Sequence, residues 1–188
     1  MVNLWHAIEY EWGIHMNPSN NVKTHDQLDA FQDRLAELNV DSTVLQADSV
    51  EDELNRRIKS PAVGCSLEAI GTSLPASVED EPTLADLKEA SMGITPAQLG
   101  VVSQGSIIVT PNEQLHGPAS LYPSTHIAVL RATDLVPNTG SALEILSEKF
   151  ESGINDAVFI TGPSSTGDMG EFVVGVHGPA EVQVLIVE

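Results

Sequence analysis

Apolar positions along this chain follow first a helical and then an extended rhythm. From Thr24, Leu28, Phe31, Leu35 and Leu38 recur at helical spacing, and Thr24 with Gln27 makes a capping-box pattern, which predicts a helix through Asn39. Ser42–Ala47 reads as a strand. Ser49 with Asp52 starts a second helix, acidic in its first turn and bearing Arg56, Arg57 and Lys59 near its end, as the helix dipole favours. Ala62–Cys65 reads as a short buried strand, Thr83 with Asp86 caps a short helix through Ala90, and Thr95-Pro96 opens another turn. The later strands are stronger: Gly105–Thr110, His126–Arg131, Ala157–Thr161 and Glu181–Val187, with a helix from about Ser141 to Glu151 between two of them.

Ile/Val runs alternating with capped amphipathic helices predict an α/β fold, a largely parallel sheet with helices on its faces. The gap between Gly105–Thr110 and His126–Arg131 is too short for a long crossover helix, which admits a mixed sheet there. Residues 24–188 read as one domain. Residues 1–23 are set apart by both tryptophans, Trp5 and Trp12, and by Leu4, Ile8 and Trp12 at helical spacing. They read equally as a docking segment and as a poorly ordered extension, or as sequence upstream of a start at Met16.

Composition narrows the choice of function. The chain of 188 residues has 27 acidic and 8 basic residues, a net charge of −19, and only 4% aromatic residues. Both halves share the excess, with 17 acids against 6 bases in residues 1–94 and 10 against 2 in residues 95–188. Such a surface repels nucleic acid and anionic membranes. It suits a salt-loving organism better than an ordinary acidic protein, because the acids fall mainly in predicted helices and loops and leave the apolar strands intact. No apolar run approaches the roughly 20 residues of a membrane span, and the N-terminus has no signal-peptide pattern, so a cytoplasmic protein is expected. Cys65 is the sole cysteine; it reads as a small buried hydrophobe, and one thiol cannot hold an iron–sulfur cluster.

Gly162–Pro179 is the best candidate site. The presumed buried strand Ala157–Thr161 runs into Gly162, Pro163, Ser164, Ser165, Thr166, Gly167 and Asp168. Ligands in open α/β sheets bind beyond the carboxyl ends of strands, and glycines with hydroxyls suit an anion. An ordinary turn has the same composition, and the basic residue of a phosphate loop is missing. Next comes Gly175-Val176-His177-Gly178-Pro179, where flanking glycines leave the imidazole open for acid–base work or for a structural hydrogen bond. Gly105 fits a bend or a close backbone approach, with Ser106 beside it. Tyr122 and His126 can line one cleft, although a satisfied, half-buried His126 is the favoured reading. No ligand-pair spacing links His116, His126 and His177, so no metal is expected. P-loop, GxGxxG and nucleophile-elbow patterns are absent.

Taken together, Met92-Gly93-Ile94-Thr95, Gly105-Ser106, Ser120-Leu121-Tyr122-Pro123, His126-Ile127-Ala128-Val129, Val136-Pro137, Thr161–Asp168 and Gly175–Pro179 resemble the LUD-domain family, specifically its lactate-utilisation C-type branch. The resemblance implies a three-layer α/β/α sandwich like that of sugar-isomerase and CoA-transferase domains (NagB/RpiA-like). It also implies a non-redox subunit of an L-lactate-oxidising complex, with iron–sulfur clusters on partner subunits and no cofactor on this chain. It would bind a small anionic ligand or a partner through Gly162, Ser164, Ser165, Thr166, Asp168, His177 and Gly178, flanked by Gly105, Ser106 and Tyr122; a homodimer is compatible with it. The alternative is a stand-alone enzyme or binding protein for a phosphosugar or CoA ester, with His177 and Asp168 as acid–base groups. Ser103 and Gln98 stand where the family commonly has acidic residues, which argues against a carboxylate nucleophile and covalent acyl-CoA exchange.

Overall fold

The computed structural model describes residues 18–110, 116–151, 156–166 and 173–188. In chain order the helix α1 (Pro18–Glu37) leads to β1 (Asp41–Leu45), α2 (Val50–Arg57), β2 (Ala62–Gly64), α3 (Leu84–Glu89) and β3 (Met92–Pro96). Then follow β4 (Leu99–Val101), β5 (Ser106–Val109), α4 (His116–Leu121), β6 (Thr125–Arg131), β7 (Leu135–Val136) and α5 (Thr139–Glu151). The last strands are β8 (Val158–Ile160), β9 (Ser165–Thr166), β10 (Val173–Val174) and β11 (Glu181–Val187).

Five strands form a wholly parallel sheet in the order β1-β11-β6-β3-β2. Four others form a smaller mixed sheet, β7-β4-β5-β8, in which only β4 and β7 run parallel. The expected largely parallel α/β sheet is present. The mixed pairing admitted around Gly105–Thr110 is also present, but in a separate sheet from His126–Arg131.

Side-chain alternation explains why both faces of the parallel sheet are buried. Ala128 and Leu130 of β6, with Val182, Val184 and Ile186 of β11, pack against Leu28, Phe31 and Leu35 of α1. Ile127, Val129, Leu185 and Val187 point the other way, onto Val50 and Leu54 of α2. Period two on the strands meets period three to four on the helices, so every second strand residue has a helical stripe to bury against. Phe31 has no exposed surface; burying such a ring contributes about 2–3 kcal/mol. On the small sheet, α5 covers Leu99, Val101, Ile108 and Val136 with Ala142 and Leu146. Over β2 and β3, α4 comes so close that a Cβ on Gly93 would lie 1.9 Å from Ala119 O.

Several local expectations need correction. Thr24 lies inside α1, which begins at Pro18, a residue whose fixed φ and missing N–H suit a helix's first turn. Ser49 precedes α2 but caps nothing with its side chain, because a preceding 3₁₀ turn already holds it in helical conformation and its Oγ donates to Asp48. The Thr83–Asp86 capping box is fully formed. Thr95-Pro96 is not a turn: it ends the buried strand β3, where a proline at a strand terminus costs little pairing. The Val158–Ile160 strand is half-exposed at the edge of the small sheet and not buried. No helix among the described residues is long and apolar enough to cross a membrane.

Candidate functional site

The two glycine-rich segments of the sequence meet at Ser164. Its backbone N–H donates to Pro179 O at 2.8 Å, and its carbonyl accepts from Gly175 N–H at 2.7 Å. Beyond it, β9 and β10 pair antiparallel, bringing Ser165 opposite Val174 and Thr166 opposite Val173. Gly175 has φ 81°, a left-handed conformation that costs glycine nothing. Gly178 passes so near that a Cβ there would lie 3.2 Å from Ser164 Cβ. Sequence spacing alone could not state this contact; small residues on both sides permit it.

This assembly stands at the amino end of the parallel sheet. The N–H groups of Ala180 and Glu181 both reach Ser124 O, at 2.9 and 3.2 Å, just before β11 and β6 begin. The carboxyl-end argument from sequence therefore does not apply: the loop leaves the carboxyl end of β8, but β8 belongs to the other sheet. At the true carboxyl end of the parallel strands, the recess beside β1 is lined by Asp48, Glu51 and Glu68.

Three shallow recesses surround Ser164. The first, about 480 Å³, is lined by Glu37, Leu38, Asn39, Gly162, Ser165 and Glu181 among others. The second, about 360 Å³, runs from Ser120 and Phe159 past Ser164 to His177 and Gly178. The third, about 420 Å³, lies between Leu121, Tyr122 and the Gly175–Gly178 turn. Among the described residues, no lysine or arginine lines any of them.

Among the predicted residues, Gly162, Ser164, Ser165, His177 and Gly178 share these walls, and Tyr122 joins His177 in the third recess. Thr166 lies in β9 at the base of the ribbon. His177 is exposed. Asp168 and Gly167 lie outside the described residues, as does the His116 side chain. Ser106 is buried and bonds through Oγ to Thr161 Oγ1 at 2.7 Å, tying β5 to the loop without lining a recess. Gly105, with φ 64°, allows close approach to α1, where a Cβ would meet Leu38 Cδ1 at 2.8 Å. The bend expected of it is therefore a packing requirement.

His126 is not in a cleft with Tyr122. It is completely buried rather than half-buried, its Nε2 lies 2.9 Å from Thr95 Oγ1, and its Nδ1 has no partner. Burial holds its pKa down at about 4, the direction expected when a charged form is desolvated. Among the described residues no group of three His, Cys, Asp or Glu side chains is placed to hold a metal ion.

Sequence reasoning missed the turn between α1 and β1. Asn39 has φ 56° and, with Glu37 and Leu38, walls the first recess. An asparagine just after a helix was a readable sign, because Asn tolerates the left-handed conformation at helix ends. Glu181 was likewise hidden as the first residue of a strand.

A family model, LUD domain, matches residues 11–187. A "Lactate utilization protein C" of Bacillus subtilis is 28% identical over 111 residues, 57% of this chain and 46% of that protein. Another of that name, from Macrococcus caseolyticus, is 28% identical over 132 residues, 66% of this chain and 56% of that protein. The matched stretch thus spans about half the length of these relatives. A solved DUF162-family protein from Deinococcus radiodurans superposes with TM-score 0.70 at 20% identity, covering 88% of this chain and 98% of that one. At that identity the likeness establishes the fold.

Proposed function

The chain belongs to the LUD domain family, and on that premise we propose that it serves lactate utilisation as a subunit without a redox centre. It would work with partner subunits that carry iron–sulfur clusters, and Gly162–Pro179 would be the face it presents to them. The name shared by its curated relatives supports the pathway. A single cysteine in the sequence supports the division of labour, because such a cluster needs about four thiolates.

The observation that carries the choice of face is its lack of cationic charge. A small anion or a phosphorylated substrate is held most firmly by a counter-charge, and among the described residues the three recesses are lined by no lysine or arginine, while Glu181 and Glu37, the latter paired with Arg34, stand at one of them. A protein partner has no such need. This favours partner docking over a small anionic ligand, and over the phosphosugar or CoA-ester alternative.

In-frame deletion in the source organism tests the role. Growth on L-lactate as sole carbon source should fail and return with the intact gene. Growth at the parental rate would overturn the proposal.

A further inference from the structure

In the small sheet, β8 is an end strand, and no described strand pairs with its outer side. Edge strands usually carry a charge, a proline or a bulge that blocks further pairing. Val158-Phe159-Ile160 has none of these, and Phe159 is 38% exposed. Across the neighbouring recess, Leu121 and Tyr122 are 44% and 55% exposed. Among the described residues no Asp, Glu, Lys or Arg lines the second or third recess, on a chain whose net charge is −19. Such an uncharged, apolar strip fits an interaction surface better than ordinary solvent contact.

Following β8 forward, Thr161, Gly162, Pro163 and Ser165 are shared with the first recess, where the carboxylate of Glu181 stands near that of Glu37, which already pairs with Arg34. The open strand edge therefore leads from an apolar strip to an acidic corner. A second copy of this chain is a poor occupant. It would bring 27 acidic residues against 8 basic ones, and four of those bases, Arg34, Arg56, Arg57 and Arg131, are already paired with Glu37, Glu53, Asp41 and Asp134.

We propose that β8 is completed by an extended segment of a different polypeptide, apolar at alternate positions and basic where it reaches Glu181. Main-chain hydrogen bonds would supply affinity, and the alternating apolar side chains with the terminal cation would supply selectivity. The inference rests on the reading of this face as a partner surface and adds the chemistry of the partner.

Fluorescein-labelled synthetic peptides of alternating Val and Thr, ending in Lys or in Glu, test it on the full chain. In fluorescence anisotropy the Lys peptide should bind at least about tenfold more tightly than its Glu twin, a difference of ~1.4 kcal/mol. Hydrogen exchange at the amides of β8 that face away from β5 should slow when it binds. Phe159→Asp should weaken binding about tenfold or more, Glu181→Lys should narrow the gap between the peptides, and Leu143→Asp, an exposed apolar site on α5, should change nothing. Equal binding of both peptides, or binding undiminished by Phe159→Asp, would overturn the proposal. Protection of β8 by concentration-dependent dimerisation without peptide would overturn it too, in favour of a second copy. Failure here with lactate growth still lost on deletion refutes the strand pairing and leaves the metabolic role standing.

Discussion

His126 Nε2 and Thr95 Oγ1 lie 2.9 Å apart in the interior of the parallel sheet, joining β6 to β3 beneath α4. The imidazole has no exposed surface and its Nδ1 is unpartnered, so it is held neutral: burial puts its pKa at about 4, against 6.5 in the unfolded chain.

The pH dependence follows from that difference. On acidification the unfolded chain takes up the proton first, so stability from this group is complete above pH 6.5 and drains away as pH falls towards 4. The loss is on the order of 3 kcal/mol. Urea midpoints measured across this window should fall steeply for the native chain and less steeply for His126→Gln. Equal slopes would show that His126 does not carry the dependence.

Gly93→Ala should destabilise the fold by about 3 kcal/mol, since the new methyl would meet Ala119 O, a backbone atom that cannot rotate away, at 1.9 Å. Gly71→Ala, where nothing lies within 4 Å and only a φ of 85° opposes it, should cost about 1 kcal/mol. Thermal or urea unfolding of the two variants checks the contrast; similar losses would mean that α4 does not press on the sheet this closely.

Arg57 spreads one guanidinium over three elements. Its Nε donates to Glu53 Oε1 at 2.6 Å, Nη1 to Asp41 Oδ2 at 2.5 Å and Gln183 Oε1 at 2.8 Å, and Nη2 to Thr43 Oγ1 at 2.7 Å. Hydrogen bonds from Arg57, then Arg56, hold the Glu53 carboxyl below its usual pKa. A lysine keeps the charge but not the fork, so Arg57→Lys should cost about 1–2 kcal/mol. An unchanged urea midpoint would count against the network.

Five ion pairs occur among the described residues, few beside the 27 acidic groups of the chain. Repulsion among the rest should weaken the fold in dilute buffer and fade as the screening length shrinks from about 10 Å at 0.1 M salt to about 3 Å at 1 M. Melting temperature should therefore climb through this range in sodium chloride. A flat profile would refute the salt-adapted reading of the composition.

What the sequence made legible was local. The Thr83–Asp86 box, the acid-to-base gradient of α2 and the Val/Ile runs of β6 and β11 each declare themselves within a dozen residues. What stayed hidden depends on distant partners. Thr95-Pro96 reads as the opening of a turn, yet the proline sits at the end of a buried strand, and upstream Gly93 makes room for α4. Likewise, nothing within Val158–Thr161 reveals that its strand belongs to the second sheet. For that reason Ser164, Ser165 and His177 line one recess at the amino end of the parallel strands and not at their carboxyl end. Their meeting depends on the hydrogen bonds from Ser164 to Pro179 and Gly175, a closure across the chain that has no signature in spacing.

The strand order β1-β11-β6 puts Glu181–Val187 between two strands made long before it. While a ribosome is still producing residues 46–180, β1 and β6 have no common neighbour, and the apolar rows destined for α1 and α2 lack their middle. The nascent chain can preform helices, the small sheet and the β6-β3-β2 half of the main sheet, but β1 must wait for its keystone. Such non-local closure makes for slow folding, with apolar strands uncovered in the meantime, so chaperone demand should be greatest just before β11 emerges.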